Sequence, residues 1–210
     1  DKDSILIEIP GITSSPGVVP TAVWFEGNEN IARIGVSALK KKNFFNSDIY
    51  FHSNFKRLIG NPIESQTKKV LSPIETGEKF FKILWENIPK ELDIQRVVLT
   101  APINTYKSYR KWLINLCNSL PISEVALVDE PTAAGIGINV PLGSKIMIID
   151  IGGSTVDMCV IKTQGGEGKS APIAELLKFR GKDVSTLSKQ KIRCAEIISK
   201  SGSKFGGKDI

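Results

Sequence analysis

Lys145–Ile161 reads KIMIIDIGGSTVDMCVI, two apolar segments hinged on a glycine pair. Ile146–Ile149 is an unbroken apolar run, the pattern of a strand buried on both faces. Asp150 ends the run, and Gly152 and Gly153 signal a tight turn. Val156, Met158 and Val160 then alternate with Asp157 and Cys159, the period of a return strand. The stretch is a hairpin with a carboxylate at its lip and two hydroxyls, Ser154 and Thr155, at its tip. Glycines let backbone N–H groups approach a phosphate with no Cβ in the way, and hydroxyls add donors. A carboxylate beside them can hold a hydrated Mg²⁺ or orient a water, provided a metal screens its charge from the phosphate. On these residues alone, a plain turn in which Asp150 and Ser154 cap backbone groups fits as well.

Size and composition narrow the field. A chain of 210 residues holds one large domain or two small ones. With 41% apolar and 24% charged residues it reads as globular and soluble. No apolar run approaches the ~20 residues of a membrane span. No secretory leader precedes Asp1, so a cytoplasmic protein without membrane association is expected, and the chain reads as a piece of something longer. Cys117, Cys159 and Cys194 are far apart and form no Cys-x-x-Cys, which favours buried apolar residues in a reducing compartment over a metal site. His52 is the single histidine, so neither a Ser–His–Asp triad nor a multi-histidine metal site can be built. There are 28 Lys and Arg against 22 Asp and Glu, a net charge of +6. The cations are spread out apart from Lys40–Lys42 and Lys189–Arg193, which read as solvated faces rather than nucleic-acid tracks. A modest positive balance suits a protein that holds a polyphosphate.

Working outward from the hairpin, the spacing predicts strands over Ile5–Ile9, Val18–Phe25 and Ile31–Gly35, then a short helix over Val36–Lys42. A brief helix is predicted over Asn54–Ile59, capped by Ser53 and closed by Gly60. Ser72-Pro73-Ile74-Glu75 predicts a helix start with Ser at the N-cap, Pro at N1 and Glu completing a capping box. Ile74, Phe81, Leu84 and Ile88 mark its apolar face, and Pro89 its end. A strand over Arg96–Thr100 is followed by a helix over Thr105–Leu116, with Tyr106, Tyr109, Leu113 and Leu116 on one side. A strand over Val125–Val128 and a short, closely packed helix over Thr132–Ile138 lead to the hairpin. Gly165–Gln190 lacks a clear period and reads as an insertion, with a short helix around Ile173–Phe179. A third strand of the hairpin's sheet is expected over Arg193–Ile198. Asp209 reads as a helix cap. Helix–strand–helix–strand order with long crossovers means a parallel sheet, and the hairpin opens an antiparallel unit.

Several separated stretches together resemble one family, the seventy-kilodalton heat-shock chaperones (DnaK-like), in their ATPase domain. Phe55-Lys56-Arg57-Leu58-Ile59-Gly60 is similar to that family's lysine motif. Val98-Leu99-Thr100-Ala101-Pro102 with Arg110 is similar to its segment bearing the switch proline and arginine. Asp129-Glu130-Pro131-Thr132-Ala133-Ala134-Gly135 resembles its Glu-Pro-Thr-Ala-Ala motif. Asp150–Asp157 resembles its second phosphate loop, and Gly206-Gly207-Lys208-Asp209 its Gly-Gly-Glu-Asp. The resemblance implies an α/β, actin-like ATPase (ribonuclease H-like) fold built by duplication. The chain would then be truncated to most of lobe I and the start of lobe II. Residues 1–143 would be lobe I without its first phosphate hairpin, with an inserted subdomain at about 21–72. Residues 144–210 would open lobe II.

The resemblance also implies roles. Lys56 would set its ammonium near the γ-phosphate and attacking water. Asp150 would hold the water shell of Mg²⁺. Thr155 and Ser154 would donate to phosphate oxygens, and Gly152 and Gly153 would allow the close backbone approach. Glu130, with Pro102 and Arg110, would report nucleotide state across the lobes. Without the resemblance, Lys56 and Arg110 read as exposed helix residues, Glu130 as a cap, Pro102 as a strand end, and Trp24, Trp85 and Trp112 as packing. The chain departs from the family pattern at Ser154, Val156, Asp129 (usually Asn) and Lys208, and the Gly165–Gln190 connection is longer than usual. These departures mark a divergent branch and place the usual co-chaperone contacts in doubt.

The function so implied is part of the nucleotide-binding domain of a chaperone. Its intact parent would bind ATP and ADP with Mg²⁺ and couple hydrolysis to unfolded client polypeptides and co-chaperones. One phosphate hairpin cannot enclose a polyphosphate, so the chain alone is expected to be inactive. Two alternatives stand beside this. One is another actin-like ATPase, a sugar kinase or a filament protein, against which the Lys56 and Glu130 motifs weigh. The other is a non-hydrolysing interaction module, favoured by Ser154 and Val156.

Overall fold

A computed structural model of the chain describes residues 5–27, 31–45, 49–53, 55–59, 71–103, 105–138, 141, 143–153, 155–163, 175–183 and 195–207. The expectations for Gly60, Ser154, Cys194, Lys208 and Asp209 lie outside these residues. The chain divides into two compact units, Asp1–Asp93 and Ile94–Ile210. That division is one of compactness. The lobe assignment, 1–143 against 144–210, concerns the halves of a duplication and remains a proposal.

In the first unit, β1 (Val23–Phe25) lies between β2 (Ala32–Ile34) and β3 (Phe51–His52), antiparallel to both. β1 is shorter than the predicted Val18–Phe25. Pro20 has no N–H to give a ladder, and its carbonyl takes the Ala22 N–H, so the chain turns just before Val23. Ile5–Ile9 is not a strand, contrary to its alternation. The Ile9 carbonyl accepts the Ile12 and Thr13 N–H groups, closing a turn at Pro10–Gly11, and Ile5 and Leu6 stay exposed. Ile9 itself joins Ile12, Val23, Phe25, Ile34 and Phe55 in the core.

Helix α1 (Gly35–Phe45) outlasts its predicted Val36–Lys42 span, and α2 (Phe55–Leu58) carries Lys56 as expected. α1 starts on a glycine for a physical reason. Gly35 has φ +61°, and a Cβ there would stand 2.1 Å from the Ile12 carbonyl oxygen. Helix α3 (Pro73–Glu86) opens with the predicted capping box: the Ser72 hydroxyl accepts the Glu75 N–H at 3.3 Å, and the Glu75 carboxylate accepts the Ser72 N–H at 2.9 Å. These bonds from Ser72 hold the Glu75 carboxyl below its ordinary value. The inward face differs from the predicted one. Thr76 and Gly77 are buried and Phe80, Ile83, Leu84 and Ile88 pack on the core, whereas Ile74 is exposed. The Thr76 hydroxyl reaches the buried His52 Nδ1 at 3.0 Å, so the single histidine is a core residue of this unit.

In the second unit, β4 (Arg96–Ala101) and β5 (Glu124–Asp129) are parallel, connected through α4 (Tyr106–Asn118). α4 buries Tyr109, Trp112, Leu113, Leu116 and Cys117. Burial pushes the Cys117 thiol up to about 11, as befits a structural cysteine. The predicted helix around Ile173–Phe179 is instead a strand, β8 (Glu175–Phe179), which pairs antiparallel with β5 and turns at Arg180–Gly181 into β9 (Lys182–Asp183). The open edge of β5 decides this. Pairing satisfies its backbone and buries Leu177, and the buried Lys178 ammonium donates to the carbonyls of Cys117 and Leu120 at the end of α4 (3.2 and 2.9 Å).

The hairpin forms as predicted from β6 (Lys145–Ile151) and β7 (Val156–Thr163), and β10 (Ala195–Ser203) joins β7 with a bulge between Ile197 and Ser199. β6 is not buried on both faces. Ile148 is covered, but Met147, Ile149 and Ile151 are exposed. The parity of β7 is also the reverse of the apolar alternation: Asp157, Cys159 and Ile161 are inward and Met158 is exposed. Helix α5 (Glu130–Gly137) causes both, since it covers one face of this sheet only. It sits so close that a Cβ on Gly135 would come within 2.8 Å of the Cδ1 atoms of Ile148 and Ile161.

Two substitutions test the first unit. Gly35→Ala combines a left-handed backbone with a backbone clash and should destabilise the unit by at least ~2 kcal/mol. Ser72→Ala should cost ~1 kcal/mol through the lost cap. Urea titrations followed by tryptophan fluorescence should show both midpoints lowered, in that order of size.

Candidate functional site

The site is the tip of the β6–β7 hairpin with the residues that grip it. Asp150 and Asp157 face each other in the antiparallel register, and the turn closes with the Gly152 N–H donating to the Thr155 carbonyl at 2.9 Å. The Gly152 carbonyl in turn accepts the Gly207 N–H at 3.0 Å, so the second glycine pair, Gly206-Gly207, is docked on the tip. Gly152 therefore uses both backbone groups to hold the turn. Gly153 is exposed, and its amide makes no backbone bond among the described residues.

Asp157 is the residue that reading the sequence did not single out. It is 1% exposed, accepts the Ile103 N–H on Oδ1 at 3.3 Å, and has an Oδ2 without a hydrogen-bond partner among the described residues. Burial is the main cause that raises its carboxyl above the ordinary value. The charges of Asp150 and Asp129 add to this, and the Thr155 hydroxyl and Ile103 N–H work against it. A signal was present: Asp157 shares strand parity with Cys159 and Ile161, so a carboxylate stands on the covered face of an apolar strand.

Pro102, Arg110 and Glu130, expected from the resemblance to act as a switch, lie in the same unit. Pro102 is buried directly before Ile103, which holds Asp157. Glu130 is the first residue of α5, whose N-cap Asp129 accepts the Thr132 N–H at 3.0 Å. Burial, and then the charge of Glu130, hold the Tyr109 hydroxyl above its ordinary value, which puts Glu130 near the α4 turn that includes Arg110. Lys56 is exposed on α2 in the other unit, and Ser154 lies outside the described residues.

The described residues hold no group of three or more His, Cys, Asp or Glu able to hold a metal ion by themselves. Two carboxylates, one with an unmet oxygen, do fit a hydrated Mg²⁺, which keeps several waters and takes other ligands from phosphates. No helix among the described residues is long and apolar enough to cross a membrane.

The fold is similar to that of MreB5 of Spiroplasma citri, solved bound to ADP, with a TM-score of 0.56 at 16% identity over 90% of this chain and 45% of that one. The expected actin-like ATPase fold is thus the observed one. Among curated relatives, the chaperone protein DnaK of Ureaplasma parvum is 27% identical over 172 residues, 79% of this chain and 27% of that protein. A HscA homolog of Shewanella denitrificans is 26% identical over 140 residues, 65% of this chain and 23% of that protein. Heat shock 70 kDa protein 14 of Xenopus tropicalis is 26% identical over 180 residues, 71% of this chain and 35% of that protein. The chain spans about a quarter to a third of the length of these relatives. The family model that matches describes the MreB/Mbl protein and takes in residues 61–173. That is more than half of the chain, which belongs to the MreB/Mbl family within the actin-like ATPases.

Proposed function

We propose that the chain is part of the nucleotide-binding domain of an actin-like ATPase, and that the β6–β7 hairpin grips the phosphates of ATP or ADP. The observation that carries this is the buried Asp157, incompletely bonded among the described residues, opposite Asp150 at a turn whose Gly153 is exposed with no backbone bond among those residues. The Gly153 N–H and the Thr155 and Ser154 hydroxyls would contact phosphate oxygens, while Gly152 braces the turn. Asp150 and Asp157 would hold the water shell of Mg²⁺, which supplies charge neutralisation when bound. Lys56, in the first unit, keeps the role near the γ-phosphate that the chaperone resemblance implies. Glu130, Pro102 and Arg110 would sense the state of the hairpin, and the Ile103–Asp157 hydrogen bond gives Pro102 a direct route to it.

For the intact protein, nucleotide-driven self-assembly into filaments is the reading the family match supports. A chaperone acting on unfolded clients with co-chaperones is the second reading, supported by the DnaK and HscA relatives and by the Lys56 and Glu130 motifs. Polymers of the intact protein pelleting with Mg–ATP favour the first. ATP-accelerated release of a labelled unfolded peptide, with no polymer, favours the second.

Calorimetric titration of the chain with Mg–ADP tests the site itself. Binding is expected, weakened at least ~10-fold by Asp150→Ala and by Gly153→Val, a loss of about 1.4 kcal/mol or more. Absence of binding by the unaltered chain contradicts the proposal.

Asp157→Asn should separate stability from function. The folded chain binds the Asp157 proton more tightly than the unfolded chain does. Stability from this group is therefore greatest in acid and falls as pH rises through the carboxylate range. Asp157→Asn keeps an acceptor for the Ile103 N–H, removes that fall, and should raise the melting temperature at neutral pH while weakening Mg–ADP binding. Melting curves at pH 4 and pH 7.5 check both the sign and the lost slope.

A further inference from the structure

We propose that Lys200 is a positioning residue: its ion pair with Asp129 ties the turn carrying Glu130 to β10, and β10 transmits that tie to the tip of the β6–β7 hairpin. Asp129 is 3% exposed and stands at the end of β5 as the cap of α5. Its Oδ1 takes the Thr132 N–H, and its Oδ2 receives the Lys200 ammonium at 3.1 Å. The same ammonium lies 5.4 Å over the ring of Tyr106, the first residue of α4. In the sheet register Lys200 stands opposite Cys159, whose sulfur is 3.6 Å from the Thr132 hydroxyl. Two residues on, Gly202 is opposite Asp157, and beyond the strand Gly207 donates to the Gly152 carbonyl. One strand thus joins the α5 cap, the α4 start and the phosphate turn.

The charge at position 129 gives the pair its meaning. An Asn there, as in the chaperones the sequence resembles, caps α5 without a countercharge. A buried Asp needs one, because a carboxylate left unpaired in the interior is strongly disfavoured. Lys200 supplies it from the strand that grips the hairpin. The consequence for ligand binding rests on the nucleotide reading above; the tie itself does not.

Hydrogen exchange on the 210-residue chain, with Mg–ADP titration alongside, tests both. Lys200→Met should speed amide exchange at Gly207 and Gly152 at least tenfold, leave α3 unchanged, and weaken Mg–ADP binding about fivefold. Asp129→Asn should do the same, the double variant should add nothing further, and Lys200→Arg should restore both readouts. Unchanged exchange at Gly207, a loss of protection spread through the whole second unit, or additive effects of the two single substitutions each overturn the proposal. Faster exchange at Gly207 in a chain that binds no Mg–ADP supports the tie and overturns the nucleotide reading alone.

Discussion

Like charges crowd one end of the second unit, and the arrangement of that unit depends on how they are held. Asp129, Asp150 and Asp157 come from three strands, and burial first, then the charges of the other two, raise the Asp157 carboxyl. Asp129 is answered by Lys200. Among the described residues no cation pairs with Asp150 or Asp157. A fold that merely needed a hairpin there has no reason to bury a carboxylate with an unmet oxygen, since an apolar residue of similar size costs less. The proposed site, which would take up a cation and a polyphosphate, does.

The backbone around these charges is rigid for simple reasons. α5 lies on the sheet at a distance only a glycine allows, with Ile148 and Ile161 filling the space where a Gly135 side chain would be. That contact sets the Asp129-Glu130 turn beside β7. Ile103, just past Pro102, fixes Asp157 from a second direction, and Gly207 fixes the turn from a third. Three elements far apart in the chain are thereby tied to one hairpin.

Much of this was legible in the sequence. The hairpin was, because Gly152-Gly153 sits between an unbroken apolar run and an alternating one. So were the α3 capping box and the parallel pairing of β4 and β5, because local chemistry and apolar spacing agreed. What could not be read was decided by neighbours remote in sequence. β8 has no period of its own and becomes a strand only because β5 offers an edge. The inward face of β7 follows from where α5 lies, not from its more numerous apolar residues at Val156, Met158 and Val160. Ile5–Ile9 shows the opposite error, an alternating pattern whose backbone groups are taken by a turn. The importance of Asp157 was hidden for the same reason as the face of β7, and that of Lys200 because an isolated lysine carries no pattern.

The Gly152–Thr155 turn is proposed to meet phosphate. Backbone amide resonances of the 210-residue chain, recorded while Mg–ADP is added, measure this at the atoms concerned. Large saturable shifts at Gly153 and Thr155, with smaller ones at Gly207, are the predicted result. Unmoved resonances at Gly153 and Thr155 under saturating Mg–ADP would contradict the account.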